Sequence, residues 1–232
     1  MFEQYHFKIV VLFMLSIFLG GCGSSSSKTK NELSTPSIDK STPLRIACVG
    51  DSITEGYMLP NPSVESYPAQ LAKLVVDGVV VKNFGIRGAT ALINSNYPYW
   101  NTSQYENSKL FTPDIVVLMF GTNDIKSVNW KNRSSFISNY STLIKSYKKL
   151  SSKPTVYICF PPPSYTSVQG MTNKRIIEEL KPDIEKVARL NEVKIIDIHA
   201  LLSQKESLFP DKIHPNSEGA RQIALEVYKV IY

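Results

Sequence analysis

The sequence predicts an α/β domain, an open sandwich in which five strands of a parallel sheet lie between two layers of helices. Three observations predict it. Short β-branched, apolar runs recur along the chain. Stretches with apolar residues at helical spacing alternate with them. The strand-like runs are nearly continuous rather than apolar at every second position, which suits a parallel sheet covered on both faces. Regular strand–helix alternation is the mark of such a sheet.

The N-terminal segment stands apart from this pattern. Ile9 to Gly21 is uncharged and mostly apolar, shorter than the roughly 20 residues a spanning helix needs, and suits a signal-peptide core. It runs into Leu19-Gly20-Gly21-Cys22, which resembles a bacterial lipobox. That resemblance implies a signal peptide over 1–21 and lipidation of Cys22, and two acyl chains suffice for stable anchoring. It places the chain in the bacterial cell envelope, lipid-anchored on the periplasmic face or cell surface. Residues 22–43 are rich in Ser, Thr, Lys and Pro, a composition that builds no core and predicts a flexible tether. The globular domain is then 44–232.

Within that domain the strands are expected at Leu44–Val49, Val79–Phe84, Ile115–Phe120, Thr155–Phe160 and Val193–Ile198. A first helix shares Tyr67, Leu71, Leu74 and Val75 on one face. A second carries Phe136, Ile137, Tyr140, Leu143, Ile144, Tyr147 and Leu150, and a third Ile176, Ile177, Leu180, Ile184, Val187 and Ala188. Pro182 should bend or restart that third helix. The last helix presents Ala220, Ile223, Ala224, Val227, Tyr228 and Ile231.

A chain of 232 residues with 43% hydrophobic and 20% charged content can bury a core without disulfide staples. Its net charge of +6 is scattered. No basic cluster is interleaved with aromatic residues, so nucleic-acid binding is not expected. Cys48 and Cys159 lie in strand-like runs and read as buried free thiols, because strands that are not neighbours hold them too far apart to bridge.

Open α/β sheets place their sites at the carboxyl ends of the strands. The first strand ends at Gly50-Asp51-Ser52, the second at Asn83–Thr90, the third at Gly121–Asp124 and the fourth at Pro161–Tyr165; Pro210–Asn216 follows the fifth. A serine nucleophile needs a base and a group to orient that base. Beyond the signal segment the histidines are His199 and His214. His199 has apolar neighbours and suits a packing role. His214 has Asp211 three residues before it, so a turn can fold the acid onto the imidazole. For an oxyanion, the donors are the N–H of Ser52, the N–H of Gly88, which no Cβ shields, and the amide of Asn123. Asp51 reads as a carboxylate that ties the Ser52 turn together rather than as a second acid.

The blocks "GDSIT", "GIRGAT", "GTND" and "DKIHPN", in this order, resemble the SGNH (GDSL) hydrolase family. The resemblance covers Leu44 to Tyr232. It implies a flavodoxin-like three-layer α/β/α sandwich with a five-stranded parallel sheet and no metal or cofactor. It also implies catalytic Ser52, Asp211 and His214, with Ser52, Gly88 and Asn123 as the oxyanion hole. Where the family usually carries Gly two residues before the His, this chain has Lys212. The segments "SYPAQL", "PYWNT", "GTNDIKSVNW" and "FPDKIHPN" resemble the branch described as sialate or other carbohydrate O-acetylesterases. That implies an O-acetylated glycan or small-molecule ester as substrate. Tyr99, Trp100 and Trp130 lie in the segments after the second and third strands, where their rings could stack on a sugar or pack the loops down. Other readings of the scaffold are a lysophospholipase, a thioesterase or a general short-chain esterase. A non-catalytic glycan-binding lipoprotein is a further one, although binding alone has no need of a complete triad. The oligomeric state is not legible.

Overall fold

The computed structural model describes residues 42–232. The expected signal segment, Cys22 and nearly all of the expected tether lie outside the described residues. Among the described residues no helix is long and apolar enough to cross a membrane.

The strands are β1 (Leu44–Gly50), β2 (Val79–Gly85), β3 (Ile115–Met119), β4 (Thr155–Phe160) and β5 (Lys194–Asp197). They form one sheet in the order 2-1-3-4-5, and every neighbouring pair is parallel. The order reverses between β1 and β3. At such a reversal the following connections leave on opposite faces, and a crevice opens at the carboxyl ends of the strands. β3 and β5 stop short of their expected ends. Ile198 belongs instead to a helix capped by Asp197, whose carboxylate accepts the Ala200 N–H at 2.8 Å.

Helices α1 (Ser52–Glu55), α2 (Pro62–Glu65) and α3 (Tyr67–Leu74) follow β1, and α4 (Ser103–Leu110) follows β2. Helices α5 (Ser127–Trp130) and α6 (Phe136–Lys148) follow β3, and α7 (Asn173–Arg175) and α8 (Lys181–Asn191) follow β4. Helices α9 (Ile198–Leu202) and α10 (Ser217–Ile231) follow β5.

Side chains alternate across a strand, so each central strand feeds two cores. Ala47, Val49, Val116, Leu118, Val156 and Ile158 pack under α4, α6 and α8. Ile46, Cys48, Val117, Met119, Tyr157 and Cys159 pack under α3, α9 and α10. This two-sided burial is why the strand sequences are continuously apolar.

One helix departs from expectation. Ile176–Leu180 forms a π-turn before α8 restarts at Lys181. Pro182 then sits in the first turn of α8, where its missing N–H is not needed. The wider turn takes Ile177 off the buried face and leaves it 49% exposed. Cys48 and Cys159 are free and buried, as expected. β3 lies between their strands, a separation of about 9.5 Å that no disulfide spans.

Candidate active site

The nucleophile turn is built by close approach. A Cβ on Gly50 would meet the Met119 carbonyl oxygen at 2.6 Å and collide with the Thr54 side chain. Glycine there lets α1 start directly over the end of the sheet. Asp51 caps α1, its Oδ1 accepting the Ile53 N–H at 2.9 Å. Ser52 is thereby the first residue of α1 and is nearly buried.

The Ser52 Oγ lies 2.9 Å from His214 Nε2. On the other side of the ring, His214 Nδ1 lies 2.6 Å from Asp211 Oδ2. Asp211 Oδ1 accepts the N–H groups of His214 at 2.7 Å and Ile213 at 3.0 Å. A carboxylate at Nδ1 assigns the proton there and leaves Nε2 free to accept from the serine hydroxyl. Burial pushes the Asp211 carboxyl up. The hydrogen bonds from the His214 ring and the two N–H groups outweigh it, so its pKa falls below the ordinary carboxylate value. The loop reaches this geometry through Lys212 at φ +71°. That is the left-handed region glycine favours, which gives a physical reason for the Gly the family usually has there.

Gly88 has φ +80°, and a Cβ there would meet only Tyr97, at 3.7 Å. The backbone conformation at position 88 is thus a second reason for glycine, beside the unshielded N–H expected from sequence. The Gly88 N–H has no acceptor among the described residues. Asn123, nearly buried in the turn after β3, donates from its amide to Ala89 O at 3.2 Å and Asp51 Oδ2 at 3.3 Å. Asn129 Nδ2 donates to the Asn123 carbonyl at 2.9 Å.

Two buried acids brace this floor. Burial pushes Asp51 up to about 7 against the Ile53 hydrogen bond, and the neighbouring Asp124 adds to the rise. Burial also pushes Asp124 up to about 7, against the N–H groups of Leu92 and Ala91 that it accepts at 2.9 and 3.3 Å. Asp51 thus ties the Ser52 turn to Asn123, and Asp124 ties the loop after β2 to the turn after β3.

The resulting cleft, about 220 Å³, is lined by Ser52, Tyr57, Arg87, Gly88, Asn123, Lys126 and His214. His199 is elsewhere, buried on α9 with Nε2 2.9 Å from Asn173 Oδ1. Burial, and then the charge of Lys181, lowers its pKa.

The three aromatic residues singled out for substrate contact do not line the cleft. Tyr99 is fully buried and its hydroxyl donates to Phe84 O at 2.9 Å. Trp130 is 7% exposed, packs on Phe136, and donates from Nε1 to Glu179 Oε2 at 2.7 Å. Trp100 is half-buried against Tyr105 and donates to Ala91 O at 3.1 Å. Each ring extends the core under its loop, and each polar tip has a partner inside the protein. The aromatic side chain at the cleft is Tyr57, its ring edge-on to His214 at 5.1 Å. Tyr57, Arg87 and Lys126 lie inside or beside the sequence blocks that carry Ser52, Gly88 and Asn123, and that adjacency was the available signal.

Residues 48–222 match the model of the GDSL-like lipase/acylhydrolase family. An acetylxylan esterase of Xylanibacter ruminicola is 34% identical over 203 residues. The match takes in 80% of this chain and 42% of that protein, so the chain spans less than half of its length. Among solved structures, a carbohydrate acetylesterase family member from Sinorhizobium meliloti has a similar fold, with TM-score 0.65 and 17% identity over 81% of this chain and 97% of that one. The aryl esterase of M. smegmatis gives TM-score 0.64 and 19% identity over 81% and 98%. With the family model running from within β1 to α10 and taking in all four strand-end blocks, this chain belongs to the GDSL-like lipase/acylhydrolase family.

Proposed function

We propose that this chain is a serine esterase that removes O-acetyl groups from carbohydrates. The observation that carries the proposal is the hydrogen-bonded series from Ser52 Oγ to His214 to Asp211, opening on a small cleft beside the Gly88 N–H. Its likeness to an acetylxylan esterase supports the carbohydrate acetyl ester as substrate.

In the proposed reaction His214 Nε2 takes the Ser52 proton as Oγ forms a bond to the ester carbonyl carbon. Asp211 holds the ring in place and stabilises the imidazolium. The oxyanion accepts from the Ser52 and Gly88 N–H groups. The Asn123 amide also turns to it, because a charged acceptor competes well against the long bonds to Ala89 and Asp51. Each such donor is worth about 3 kcal/mol. The ester C–O bond breaks as His214 gives its proton to the departing sugar oxygen, which leaves as a free hydroxyl and leaves Ser52 acetylated. Water then repeats the cycle, releasing acetate and restoring Ser52.

Ser52→Ala tests this directly. Hydrolysis of 4-nitrophenyl acetate should fall by about 10⁴-fold or more with the melting temperature unchanged; retained activity overturns the nucleophile assignment. An octanoyl ester preferred over the acetyl ester overturns the acetylesterase assignment. We further infer that Cys22 carries lipid and tethers the domain to the bacterial envelope, on the strength of the Leu19-Gly20-Gly21-Cys22 motif. Mass spectrometry of the processed protein should find a diacylated N-terminal Cys22; an unmodified Met1 overturns this.

A further inference from the structure

Two of the seven residues that line the cleft, Arg87 and Lys126, are cations, and none is a carboxylate. The acids nearby are occupied. Asp211 faces the His214 ring. Asp51 is buried beneath the cleft, bonded to Ile53 and Asn123. Glu55 Oε2 accepts the Arg87 backbone N–H at 2.9 Å and lies 3.5 Å from Arg87 Nε. That contact engages the inner nitrogen of the guanidinium. Its two terminal nitrogens have no protein acceptor among the described residues, and Lys126 makes no ion pair there.

The Arg87 side chain is 65% exposed and is steadied on one side. Its guanidinium lies over the Tyr57 ring at 4.8 Å, and that ring meets His214 edge-on. A stacked, planar fork loses less freedom on binding than a free side chain and suits two-pronged recognition of a carboxylate. The chemistry sets which part of a substrate comes near it. His214 must reach the leaving alcohol oxygen to return the proton, so the sugar lies on the His214 side of the ester, where Tyr57 and Arg87 stand.

We propose that Arg87, with Lys126 on the same cleft lining, forms an anion-recognition subsite, and that the preferred substrates are acetyl esters on sugars bearing a carboxylate, the uronic-acid class. The proposal rests on the esterase assignment above. The chain's net charge of +6 adds a field that draws an acidic polymer toward the domain.

The test compares two forms of one mono-O-acetylated methyl glucuronoside, the free acid and its methyl ester, which differ in charge at a single group. For the wild-type enzyme at low salt, kcat/KM for the free acid should exceed that for the methyl ester about tenfold. The ratio should fall toward one in Arg87→Gln and at about 0.5 M salt, where exposed charges are screened. Arg87→Lys should recover part of it, and Lys126→Gln should lower it by a smaller factor. A third substrate, acetylated glucose 6-sulfate, separates a carboxylate subsite from a general anion site; a sulfate preferred over the carboxylate overturns the uronic-acid assignment. Equal rates for acid and methyl ester overturn the subsite and leave the esterase standing. No hydrolysis of any of these substrates or of 4-nitrophenyl acetate overturns the esterase assignment itself.

Discussion

Asp51 joins two halves of the active-site floor through one carboxyl group. One oxygen caps α1 behind Ser52, and the other receives the Asn123 amide. Its pKa of about 7 has a thermodynamic consequence. Between about pH 4 and pH 7 the folded protein keeps a proton that the unfolded chain, with an ordinary carboxylate pKa, has lost. Stability therefore falls as pH rises through that window. Asp211 has the opposite sign, because its pKa is lowered in the folded state. Its contribution is present above the ordinary carboxylate range and is lost only in stronger acid. Asp51→Asn removes one titrating group, so melting temperatures between about pH 5 and pH 7 should change less steeply than in the wild type. Identical slopes would mean that Asp51 ionises normally. The same substitution points an NH₂ group at the Asn123 amide, and kcat should fall with KM little changed.

At the scale of elements, loops carry the positioning. The Asp211–His214 turn contains Lys212 in the left-handed region, a conformation that costs a side-chain-bearing residue roughly 1–2 kcal/mol. Glycine there loses more entropy on folding, by about 0.5–1 kcal/mol. Lys212→Gly should leave the protein equally stable or more stable by up to about 1.5 kcal/mol, as read from urea unfolding; a clear loss would show that the ion pair of Lys212 Nζ with Glu206 Oε1, at 2.9 Å, matters more than the backbone. After β3, α5 is fastened to the π-turn before α8. Trp130 donates to Glu179, and Arg133 reaches both Glu179 and Asp183 at 2.9 and 2.8 Å. Trp130→Phe keeps the packing on Phe136 and loses the hydrogen bond. It should cost about 1–2 kcal/mol of stability with KM for an acetylated sugar unchanged. A raised KM at unchanged stability would instead assign Trp130 to the substrate.

For the whole molecule, the sheet has a core on each face, and Cys48 and Cys159 share one of them. Burial pushes the Cys48 thiol up to about 12 and the Cys159 thiol higher. Thiolate, the reactive form, is scarce at both. Both should resist a thiol reagent in the native protein and react at the rate of global unfolding; fast native reaction of either would mean that a core face opens locally. Much of this molecule was legible in sequence. Period and composition determine the strands and helices, because a strand covered on both faces must be apolar throughout. The order of Ser52, Gly88, Asn123, Asp211 and His214 places each candidate at a strand end or the loop beyond. Tertiary structure alone decided the rest. The strand order, reversing between β1 and β3, brings those ends to one crevice. Tyr99 and Trp130 are packed away while Tyr57, Arg87 and Lys126 face the cleft. An aromatic residue in a loop has the same sequence signature whether it stacks on a ligand or seals the loop to the core. The difference lies in which neighbours supply its hydrogen-bond partners and contacts, and those neighbours are distant in the chain.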